Sequence, residues 1–119
     1  MIAEVRKACA ESGQQEPQTV GELMQCVYAS LAACYRDAIR DLSKLTGREY
    51  TSLNIVGGGC RDGYLNELSA DATGLEVFAG PTEGTAIGNL MVQLIGAGEF
   101  ANLQDARACV ARSFDVRKV

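Results

Sequence analysis

LNIVGGGCRDGYLNELSADATGLEVFAGPTEGTAIGN, from Leu53 to Asn89, is the stretch whose reading decides the fold. It reads as a strand from Ser52 to Val56, a turn of three glycines (Gly57, Gly58 and Gly59), a helix from Cys60 to Thr73, a strand from Glu76 to Ala79, and a Gly80-Pro81 entry into a further helix. Strand, helix and strand joined by such short connections imply a parallel pair with a right-handed crossover. Glycines between a strand and a helix let backbone approach a ligand, because no Cβ stands in the way. A helix that begins there points free N–H groups and a partial positive charge at the same space.

Three generic phosphate and catalytic motifs fail on this turn. Counting from Gly57, a dinucleotide fingerprint would need a third glycine where Asp62 stands, and only Glu76 or Glu83 could serve as its acidic partner. Gly58 and Gly63 have P-loop spacing, but Tyr64 and Leu65 replace the Lys and the Ser or Thr that bind phosphate and metal. A nucleophile elbow needs G-x-S-x-G, which the chain lacks. Two readings survive: a nucleotide cradle built from backbone, and a purely structural tight turn.

Upstream of the turn, residues 2 to 12 make a short helix closed by Gly13, and Gln14 to Gln18 a polar connection. Residues 1 to 18 thus read as a leading helix and linker, the tail of something that began earlier. Thr19-Val-Gly-Glu22 is a capping box. The helix it opens runs to Gly47, about 40 Å at 1.5 Å per residue. Val20, Leu23, Met24, Val27, Leu31, Ala38, Ile39 and Leu42, with Cys34 or Tyr35, recur along it at threes and fours, an inward face for packing.

Downstream, the helix over the glycine turn carries Leu65, Leu68 and Ala72 inward and stops at Gly74, while Asp71 reads as a packing or capping partner. Thr82 is the candidate cap of a helix from Glu83 to Gly96, with Ala86, Ile87, Leu90, Met91, Leu94 and Ile95 on a broad apolar face. Asn102 caps a last helix to about Ser113, and Asp115 to Val119 are expected to fray. Two parallel strands do not make a stable sheet alone, so further strands are expected from an upstream portion.

The composition bounds the function. At 119 residues the chain is one domain or part of one. Its net charge of −4 and lack of any basic stripe argue against nucleic acid and membrane surfaces as partners. No apolar run is long enough to span a bilayer, and no signal peptide is visible, so a cytoplasmic protein is expected. There is no histidine, and Cys9, Cys26, Cys34, Cys60 and Cys109 contain no C-x-x-C, which leaves zinc binding and Cys–His chemistry without support. The cysteines read as free, mostly buried thiols. A Cys9–Cys26 bridge between the first two helices is conceivable, but spacing alone does not place their Cα atoms. Cys60 stands where a helix N-terminus would lower its pKa, but the preferred reading is a small residue fitted to a tight turn.

Asn54 to Gly74 and then Val77 to Asn89 resemble the C-terminal, nucleotide-binding lobe of the FGGY carbohydrate kinases, most of all its rhamnulokinase branch. The resemblance rests on the Gly-Gly-Gly-Cys turn, the Leu-Asn-x-Leu-x-Ala-Asp-Ala-x-Gly helix and the Ala-Gly-Pro-x-Glu entry, all in register. It extends upstream to Gly13-Gln-x-x-Pro17-Gln-Thr-x-Gly-Glu22 and to Ser30-Leu-Ala32, and so covers nearly the whole chain. It implies an α/β fold: part of an actin-like (ribonuclease H-like) ATPase lobe, helix-rich, with a short parallel βαβ unit.

The same resemblance implies roles. Gly57, Gly58 and Gly59 would line the adenosine and α-phosphate side of a cleft, with Gly58 foremost. Arg61 and Asp62 would be neighbours of the nucleotide, although the family more often has Asn at position 62. ATP, Mg²⁺ and a ketose sugar would be partners of the intact enzyme, together with an N-terminal lobe that carries the phosphate loops and the aspartate base. No catalytic residue and no metal ligand is assigned within these residues. Alone they are expected to be inactive, to bind ATP weakly or not at all, and to expose an apolar face that can pair with itself. A free-standing nucleotide-binding or interaction module is the alternative. It should instead close its own sheet and leave no such face.

Overall fold

The structure is a computed structural model describing all residues, Met1 to Val119. Five helices and three strands follow in the order α1 (Ile2–Glu11), α2 (Val20–Thr46), β1 (Ser52–Ile55), α3 (Gly63–Thr73), β2 (Glu76–Ala79), α4 (Gly84–Gly96), α5 (Leu103–Ser113) and β3 (Arg117–Lys118).

Local chemistry sets the boundaries of α2. The Thr19 hydroxyl accepts from the Glu22 N–H at 3.2 Å, and the Glu22 carboxylate accepts from Thr19 N–H at 3.1 Å and Gln18 N–H at 2.7 Å. These contacts occupy N–H groups that a helix start leaves orphaned. They also hold the Glu22 carboxyl below its ordinary range. At the other end Gly47 takes the left-handed conformation, φ +66°, and stops the helix. Arg6 on α1 donates to the Pro17 and Gln18 carbonyls and so moors α1 at the start of α2. Beside this mooring the Cys9 and Cys26 thiols touch, 3.6 Å apart and unbridged.

β1 and β2 pair in parallel, Ser52 opposite Glu76 through Ile55 opposite Ala79, as expected. The sheet has a third strand, but it comes from this chain. β3 runs antiparallel to β2, with Arg117 opposite Ala79 and Lys118 opposite Phe78. Val119 N–H donates to the Val77 carbonyl at 2.9 Å, and Lys118 pairs with Glu76. The expectation that 115–119 fray is therefore corrected. A strand of two residues has no periodicity to read, and its partner lies forty residues upstream.

The core sits under β2. Val77, Ala79, Ile87 and Ala106 are buried there with Cys60, Asn66 and Ser69. Only 11 of the 119 residues are buried, and this corrects the expected inward faces. On α2 only Ala32 is buried, while Val20, Met24, Leu31 and Leu42 are exposed. On α3 the most buried residues are the polar Asn66 and Ser69, and on α4 only Ile87 is buried. The apolar periodicity is present, but nothing covers most of it. The radius of gyration, 18.0 Å, exceeds the 13–14 Å or so of a compact domain of this length.

Candidate functional site

The glycine turn leaves the sheet at the carboxyl end of β1. Gly57 holds φ +80° and ψ −168°, a backbone region that only glycine occupies without strain. Its N–H donates to the Pro81 carbonyl at 3.0 Å, and Gly80 N–H donates to the Ile55 carbonyl at 2.8 Å. The two loops that follow the parallel strands are thus laced together. Gly80, at φ +123°, runs so close to the Asp115 carbonyl that a Cβ would collide with it.

One 3-10 turn, Gly58–Arg61, stands between Gly57 and α3. This corrects the helix start expected at Cys60. The α-helix begins at Gly63, and Asp62 is its N-cap, accepting from Leu65 N–H at 3.1 Å. Asp before an apolar helical run is a cap signal, so the boundary was legible. Within the turn, Cys60 N–H bonds the Gly57 carbonyl and Asp62 N–H the Gly59 carbonyl. The N–H groups of Gly58 and Gly59 make no hydrogen bond within the chain, and both residues are exposed. Neither has a positive φ, and a Cβ on either would meet nothing within 4 Å. The chain's own packing therefore does not require glycine at 58 or 59.

The other expected site residues divide. Arg61 is exposed and lines a hollow of about 480 Å³ with Thr82, Glu83, Phe114, Asp115 and Arg117. Asp62 has both carboxylate oxygens engaged inside the protein, Oδ1 by Leu65 N–H and Oδ2 by the Tyr28 hydroxyl at 2.5 Å. Those bonds, Tyr28's first, hold the Asp62 carboxyl below its ordinary range, and the same bond raises the Tyr28 hydroxyl above its own. The Cys60 thiol does not head an α-helix; it is buried and 3.6 Å from the Thr82 hydroxyl. Thr82 caps nothing, because the N-cap of α4 is Glu83, which makes no side-chain cap bond. Asp71 is exposed on α3.

Sequence reasoning missed the residues that fasten the turn. The Asn66 amide, buried, donates to the Cys60 carbonyl at 2.9 Å, which Arg117 also reaches at 3.4 Å. The Tyr28 ring packs on Tyr64 with centroids 5.8 Å apart, and the Tyr64 hydroxyl donates to Gln25. On α2, Tyr28 lies 34 residues before Asp62 and Gln25 39 before Tyr64, and no local pattern marks them.

The model of the FGGY family of carbohydrate kinases, C-terminal domain, matches residues 2–97. The chain belongs to this family. It is 45% identical over 118 residues to a rhamnulokinase of Halalkalibacterium halodurans, covering 99% of this chain and 25% of that protein. It is 42% identical over 117 residues to a rhamnulokinase of Bacillus subtilis, covering 98% of this chain and 24% of that one. The chain thus spans about a quarter of the length of the curated relatives it matches. Within this FGGY domain the glycine turn, its Asp62 cap and the Gly80-Pro81 loop all lie inside the matched residues. β3, the third strand of the sheet, lies beyond them.

Proposed function

We propose that this chain forms the adenosine and α-phosphate wall of the cleft in an ATP-dependent carbohydrate kinase, whose intact form phosphorylates the 1-hydroxyl of L-rhamnulose. The observation that carries the reading is the pair Gly58 and Gly59. Their two N–H groups are unbonded and exposed, and their missing side chains answer no internal constraint. Amides presented this way suit close approach to phosphate oxygens, and Gly57 supplies the turn that exposes them. Arg61 stands beside them as a cation at the rim. The choice of sugar rests on the relatives' name, since none of these residues forms a sugar pocket.

Phosphoryl transfer depends on positioning and on neutralising charge, more than on covalent help from the protein. In this reading Gly57 to Gly59 fix one side of the nucleotide. The base that takes the sugar proton belongs to the rest of a protein of the relatives' length. In this reading Mg²⁺ is held by the nucleotide's phosphates and by residues of the rest of that protein.

Two measurements test this. The 119-residue chain, given MgATP and L-rhamnulose, is expected to form no sugar phosphate; product above background overturns the division of labour. Titration of ¹⁵N-labelled chain with ATP is expected to shift the Gly57–Asp62 amides with weak affinity. Shifts confined to other residues would refute the wall. Micromolar affinity by calorimetry would show a self-sufficient nucleotide module instead.

A further inference from the structure

We propose that Tyr28 is a positioning residue for the glycine turn: its hydroxyl tethers Asp62 to α2 and so sets where Gly58 and Gly59 present their amides. The nucleotide part of this inference rests on the reading above; the tether does not.

Asp62 is where the turn ends and α3 begins. Its N–H closes the turn on the Gly59 carbonyl at 3.2 Å, its Oδ1 caps α3, and its Oδ2 accepts from Tyr28. A cap alone would fix Asp62 relative to α3 only. The bond to Tyr28 adds a partner 34 residues away on the longest helix of the chain. Tyr64, in the first turn of α3, doubles the grip through its ring on Tyr28 and its hydroxyl on Gln25. On its far side the turn is held at Cys60, by Asn66 and Arg117.

What the tether secures is distance. A backbone N–H holds a phosphate oxygen at roughly 2.7–3.2 Å and loses most of that bond when displaced by an ångström. Gly58 and Gly59 have no side chain with which to make contacts of their own. Their position is inherited from Gly57 at one end and Asp62 at the other.

The test uses the whole chain, ¹⁵N-labelled, as wild type and as Tyr28→Phe, Asp62→Ala and the double variant, with Tyr50→Phe, in the connection after α2, as a control. Tyr28→Phe keeps the ring on Tyr64 and removes only the hydroxyl. Amide exchange of Cys60, Asp62 and Leu65 is expected to speed up about tenfold, while α5 amides stay unchanged. The ATP-induced shifts of Gly58 and Gly59 are expected to need about fivefold more ATP. In the Asp62→Ala background the same Tyr28 substitution should add nothing, because the tether is already gone. Unchanged exchange in Tyr28→Phe, or equal effects with and without Asp62, overturns the inference and leaves the nucleotide reading standing. Faster exchange in a chain whose ATP-induced shifts are confined to residues outside Gly57–Asp62 upholds the tether and refutes the nucleotide reading.

Discussion

An alanine at Gly57 would have to hold φ +80° and ψ −168°, a conformation that L side chains rarely adopt. Gly57→Ala is expected to cost about 1–3 kcal/mol in urea unfolding and to abolish the ATP response of Gly58 and Gly59. Gly58→Ala separates the two readings of the turn. Its added methyl has open space, so stability is expected to stay within about 0.5 kcal/mol of wild type. Nucleotide shifts should nevertheless weaken, because the methyl stands where a phosphate would approach. An unchanged titration curve would return the turn to a structural role. Asp62 and Tyr28 carry a pH signature of opposite signs. The carboxyl of Asp62 lies below its ordinary 3.8, so its contribution is present above that pH and is lost as pH falls further through the depressed value. The Tyr28 hydroxyl lies above its ordinary 10.0, so its contribution is present below that pH and fades as pH climbs through the raised value. Unfolding midpoints across pH should therefore fall at both extremes, and Tyr28→Phe should flatten both limbs.

Among the elements, α2 depends most visibly on its ends. Its exposed apolar positions gain little from packing in this chain, so the capping box carries an unusual share of its order. Thr19→Ala is expected to destabilise the chain by about 1 kcal/mol and to fray the first turn in amide exchange, leaving the last turn at Gly47 unaffected. β3 makes the complementary case. Two paired residues, the Val119 amide bond and the Lys118–Glu76 ion pair secure it to β2, and it packs where Gly80 leaves no room for a side chain. Gly80→Ala should expel the segment around Asp115 and expose the β2 edge, seen as loss of exchange protection at Val119 with β1 still paired to β2.

At the scale of the molecule, apolar surface decides behaviour. Val20 is 75% exposed and Leu45 83%, and Leu90 and Val92 on α4 also face solvent. A surface of this kind favours association. Sedimentation velocity is expected to show apparent mass rising with concentration, and Leu45→Glu with Val92→Glu to suppress the rise; a monomer at every concentration would contradict this. The sequence by itself determined the parallel β1–α3–β2 unit, the α2 capping box, the Asn102 cap and the glycine stops at 47 and 74, because each follows from interactions within a few residues. Hydrophobic period showed which face of each helix is apolar, but not whether anything covers it, since coverage belongs to what packs alongside. Only the tertiary structure decided that β3 adds a strand to the sheet, that Cys9 and Cys26 meet unbridged, and that Asp62 turns inward. Tyr28 reaches Asp62 through the crossing of α2 over α3, and residues brought together by such a crossing share no pattern along the chain. The glycine turn was legible because its chemistry is local; what fastens it was not.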